Sequence, residues 1–141
     1  MFNLIITIIS IALVVAMAAA AVYYGGTAFT QGTAKANAAT LVTQAQQING
    51  AITLYKNDNG GTAPAVIADL VPDYLQNAPV PGSAGASTAA WTLTGGNSVV
   101  ESKGGEVCTQ INVSGGHDGS SVLSNAVYGC VTATNVVTYK N

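Results

Sequence analysis

Charge is what this chain has least of. Asp, Glu, Lys and Arg make up only 7% of its 141 residues, the net charge is −2, and the first charged side chain is Lys35. So faint a balance argues against a basic surface for nucleic acid and against an acidic tail for basic partners. Histidine occurs once, as His117, followed by Asp118 and Ser120 in a Gly/Ser stretch. Adjacency in sequence does not build a catalytic triad, so His117 reads as a solvated loop residue. The two cysteines, Cys108 and Cys130, are too few for paired zinc ligands and too far apart for a CxxC redox pair. No GxxxxGK[ST] pattern is present, and the glycine pairs read as turn residues. Asn57-Asp58-Asn59 offers oxygen atoms but not the spaced acids of an EF-hand loop. Asn112-Val113-Ser114 matches the glycosylation sequon, a pattern short enough to arise by chance. Aromatic residues, at 6%, lend no support to a conductive path. The expectation is a protein without catalytic residues, cofactor or metal, and so not an enzyme.

What the chain does have is one long apolar run. Phe2 to Val22 contains no charge, and only Asn3, Thr7 and Ser10 interrupt it. As a helix, Leu4 to Val22 covers about 28 Å, close to the ~30 Å hydrocarbon core of a bilayer. Three readings compete. A cleaved secretory signal normally begins with basic residues, and none precedes this run. A single-pass anchor fits the length but has no positive flank to orient it. The third is a helix that sits in the membrane before assembly and in the core of a filament afterwards. Ala12, Ala16 and Ala18 to Ala21 favour the third, because small side chains let helix backbones approach closely. Leu4, Ile5, Ile8, Ile9, Leu13 and Val14 are then the candidate assembly residues. A paired cysteine count behind an export-type N-terminus favours a Cys108–Cys130 disulfide in an oxidising compartment, with two buried thiols as the alternative.

Tyr23 and Tyr24 end the run like an interfacial belt. Gly25 and Gly26 follow and weaken the helix by roughly 2 kcal/mol relative to alanines. With no proline before Pro64, they are the candidate helix break, as a melted joint in an assembled state or as a site of close helix contact. From Ala34 the pattern turns amphipathic: Ala34, Ala38, Leu41, Ala45, Ile48, Ile52 and Tyr55 recur at alternating spacings of 4 and 3, one stripe on a helix. Asn57 to Gly61 stops it. If residues 2–56 form one helix, it is about 80 Å long and asks for a partner along its uncovered half.

Pro64 to Gln76 predicts two short turns around Pro72, and Asn77 to Thr88 a loop. Ala90–Thr94 and Ser98–Ser102 flank Gly95-Gly96-Asn97 as a hairpin. Val107 to Val113 is ambiguous between strand and helical turn. Ser114 to Ser121 reads as a loop. Tyr128–Thr132 and Val136–Lys140 read as strands about a turn at Ala133-Thr134-Asn135. The fold class expected is α+β: a long N-terminal helix, apolar and then amphipathic, packed on a small antiparallel sheet of three or four strands. The divisions are 1–26, an apolar membrane or filament-core helix; 27–57, an amphipathic helix; and 58–141, a globular head with sheet and disulfide loop.

This layout, together with Ile52-Thr53-Leu54-Tyr55-Lys56, Gly60-Gly61, Pro64, Leu70, Tyr74-Leu75 and Pro79, resembles the type IV pilins (type IVb-like) and pseudopilins. The resemblance covers the whole chain in layout, through motifs that are individually loose. It implies that Met1 is the processed and methylated N-terminal residue. It also matches the Cys108–Cys130 loop to the disulfide-bounded C-terminal region of the family. The family carries Glu at the fifth position of the mature helix, where it pairs with a neighbour's amine; here that position is Ile5, so the pairing has no carboxylate. The function implied is a structural subunit of an extracellular filament. The expected partners are identical subunits in a helical polymer, the inner membrane before assembly, and the pilus assembly machinery, with no nucleic acid. The alternatives are a pseudopilin of a type II secretion system or a membrane-anchored binding module.

Overall fold

A computed structural model describes residues 2–84, 86, 90–102, 104–116 and 127–140. The fold is α+β. Helix α1 spans Phe2–Asp58, and a 3₁₀ turn follows at Ile67–Leu70. After a second 3₁₀ turn at Pro81–Ala84 come β1 (Thr92–Thr94) and β2 (Asn97–Glu101). Then follow α2 (Gly105–Gly115), β3 (Tyr128–Val131) and β4 (Val136–Tyr139). The chain divides into two compact units, Met1–Thr33 and Ala34–Asn141.

Within the second unit the stripe on α1 forms the core. Ala34, Ala38, Leu41, Ala45, Ile48 and Ile52 are buried and Tyr55 is half-buried, as the 4–3 spacing predicts; Ala51 joins them. Trp91 is buried in the same cluster, and its indole N–H donates to Gln44 Oε1 at 3.1 Å. The helix ends where glycine permits left-handed backbone: Gly60 and Gly61 have φ of 64° and 89°, and the Gly61 N–H returns to the Lys56 carbonyl at 2.7 Å.

The four strands are antiparallel in the order β1-β2-β4-β3. The β1–β2 turn is two residues, Gly95 and Gly96, with φ of 60° and 83°, as a tight hairpin of this hand requires. Asn97, assigned to the turn from sequence, instead pairs with Thr94 as the first residue of β2. Asn135, at φ 54°, serves the β3–β4 turn. Tyr128 lies near Lys35 and Ala38, whereas Gly96 lies against Lys56. The sheet therefore runs along the head half of α1, with β3 toward Ala34 and the β1–β2 turn toward Lys56.

The segment Val107–Val113, ambiguous in sequence, is helical. Val107, Cys108 and Ile111 are buried on one side of α2, and Gly116, at φ 75°, caps its C-terminus. Between Pro64 and Gln76 the 3₁₀ turn and a backbone-bonded turn at 71–74 take the place of a helix. The Asp69 carboxylate accepts the Ala65 and Val66 N–H groups at 3.1 Å each.

Candidate functional site

The first unit, taken by itself, is helix without cover. Leu4, Ile5, Ile8, Ile9, Leu13 and Val14 are each between 52% and 69% exposed. Two of its polar interruptions turn inward on the backbone: the Thr7 hydroxyl donates to the Asn3 carbonyl at 2.6 Å and the Ser10 hydroxyl to the Ile6 carbonyl at 2.8 Å. These hydroxyls therefore need no water, and the helix surface from Leu4 to Val22 is close to pure hydrocarbon. Removing the six candidate side chains from water would contribute on the order of 5–10 kcal/mol. By length and composition α1 is able to cross a membrane. No acidic side chain lies in its first turn, Ile5 included.

Gly25 and Gly26 lie inside α1, which is continuous through them in the single chain. A Cβ on either meets nothing within 4 Å, so no contact inside the chain requires glycine there. Tyr23 and Tyr24 are exposed, with ring centroids 5.4 Å apart, edge to face.

In the second unit Cys108 on α2 and Cys130 on β3 form the disulfide, both fully buried. One helical turn beyond Cys108, Asn112 reaches the same residue. Its Nδ2 donates to the Cys130 carbonyl and its Oδ1 accepts the Cys130 N–H, each at 2.8 Å. β3 is the edge strand beside β4, so these are the groups that a further strand would have used. A side-chain amide presents the same donor and acceptor as a peptide, and Asn112 closes the edge at this residue. Asn112 is buried, so the sequon match marks a structural clamp rather than an accessible attachment site. The available signal was the four-residue offset from Cys108, which puts the two side chains on one helix face.

The remaining sequence candidates are engaged elsewhere or lie outside the description. Asp58 accepts the Tyr74 hydroxyl at 3.0 Å, and Asn59 Nδ2 donates to the Tyr55 carbonyl at 2.9 Å. Among the described residues no three His, Cys, Asp or Glu side chains gather as a metal site. Met1, His117, Asp118 and Ser120 lie outside the described residues. Comparison of the chain with family models, curated proteins and solved structures gives no match.

Proposed function

We propose that this protein is a structural, non-catalytic subunit that polymerises through its N-terminal helix into an extracellular, type IV pilus-like filament. One contrast carries the reading. Residues 2–33 of α1 leave their apolar side chains exposed, whereas the stripe from Ala34 to Ile52 is buried beneath a disulfide-tied head. An uncovered surface of that kind is suited to lipid and to copies of itself, and the low charge removes repulsion between identical faces. In this proposal the helix rests in the inner membrane before assembly, and the assembly machinery draws it out. Ile5 packs by apolar contact, without the ion pair that a carboxylate would make.

Electron microscopy of the protein purified from its producing cells tests the reading. Long uniform filaments are the expected result. Monodisperse particles in detergent, with no filaments from cells, would replace the filament subunit by a membrane-anchored module.

A further inference from the structure

The 34–141 unit has a groove near one end of its α1 segment and a knob near the other. The groove, about 440 Å³, has Ala38, Val42 and Val113 among its apolar lining, with Lys35, Gln110 and Tyr128 as polar neighbours. The knob is the turn between Leu70 and Tyr74. Leu70 is fully buried, and its carbonyl accepts the N–H groups of Tyr74 at 2.9 Å and Leu75 at 2.8 Å. Tyr74 is held by its hydroxyl on Asp58, at 3.0 Å, and by edge contact with the Tyr55 ring, centroids 5.5 Å apart. Pro72 and Asp73, between these anchors, are exposed.

The charges are complementary. Asp58 serves Tyr74, and Asp69 serves the Ala65 and Val66 N–H groups, so Asp73 is the acid at this end that makes no hydrogen bond or ion pair among the described residues. Lys35 likewise makes none. Within one chain the two ends cannot meet, because Lys35 and Asp58 lie about 35 Å apart along the helix. A patch and its complement at opposite ends of one unit form a heterologous contact, which repeats from copy to copy and extends into a filament when the rotation does not close.

We propose that the Lys35 groove receives the Pro72–Asp73 turn of a second copy. The Asp73 carboxylate meets the Lys35 ammonium, and the Pro72 ring covers Val42 and Val113. Because both anchors hold the turn in place beforehand, little ordering entropy is lost on docking. The contact rests on the filament reading and names the head-to-head surface within it.

The test is filament yield from cells, measured by sedimentation, for the full chain and for Lys35→Glu, Asp73→Lys and the double reversal. A circular-dichroism melt of each full chain in detergent shows that the variant folds. Each single reversal places like charges together and is expected to lower yield roughly tenfold or more; the double reversal restores it. Single reversals that assemble like wild type overturn the contact and leave the filament reading standing. Impaired singles without recovery in the double overturn the pairing. Wild type that forms no filaments overturns the filament reading and the contact with it.

Discussion

Replacing Asn112 by alanine isolates the clamp on β3. The substitution removes two hydrogen bonds of 2.8 Å and leaves the N–H and carbonyl of fully buried Cys130 without a partner. Each orphaned buried group costs about 1–3 kcal/mol, so the pair amounts to about 2–6 kcal/mol. The disulfide, at a sequence separation of 22, contributes about 3 kcal/mol by the loop-entropy argument. The amide is therefore expected to matter as much as the bridge beside it, although a sequence reader would rank the cysteines first. Denaturant unfolding of the full chain in detergent, under non-reducing conditions and followed by circular dichroism, measures the loss. Asn112→Asp sharpens the test. Its carboxylate still accepts the N–H but faces the Cys130 carbonyl with a negative charge, so its folded pKa lies above the usual carboxylate value. That variant should be less stable than Asn112→Ala at neutral pH and should regain stability as pH falls through the raised pKa. An Asn112→Ala protein within about 0.5 kcal/mol of wild type would refute the reasoning, because it would mean that Cys130 finds other partners at no cost.

Ile48→Ala, at a fully buried position of the core, should cost about 2–5 kcal/mol in the same unfolding measurement. Leu4→Lys places a charge on the exposed apolar helix and should abolish filaments without moving the melting midpoint of the head; normal filament yield would argue against a helix-packed core. In a filament map the backbone around Tyr24 to Thr27 is expected to be non-helical, and an unbroken hydrogen-bonded helix from Leu4 through Gln31 would leave close packing as the reason for Gly25-Gly26. Tyr74 donates to the Asp58 carboxylate, which holds its phenol above the ordinary 10.0. Its contribution to stability is thus complete below pH 10.0 and fades as pH rises through the folded pKa. Absorbance titration should show a late-ionising component that is lost in Tyr74→Phe.

Local pattern determined a good deal of this protein. Repetition at 4 and 3 residues can satisfy only a helix with one buried face, and the residues from Ala34 to Ile52 took that face. Gly95-Gly96 admits the positive φ of a two-residue hairpin, and the strands on either side followed. An uncharged run of membrane length remained exposed helix. Tertiary structure decided what local pattern left open. Val107 to Val113 is rich in β-branched residues and compatible with a strand. It became helix because that places Val107, Cys108 and Ile111 in the core while Asn112 meets β3. The pairing of β2 with β4, across α2 and β3 in the chain, depends on contacts between residues far apart, which no local period encodes. Asn112 illustrates the limit most clearly. Its side chain is a surface sequon or a buried strand surrogate depending on what lies opposite, and only the fold brings Cys130 there.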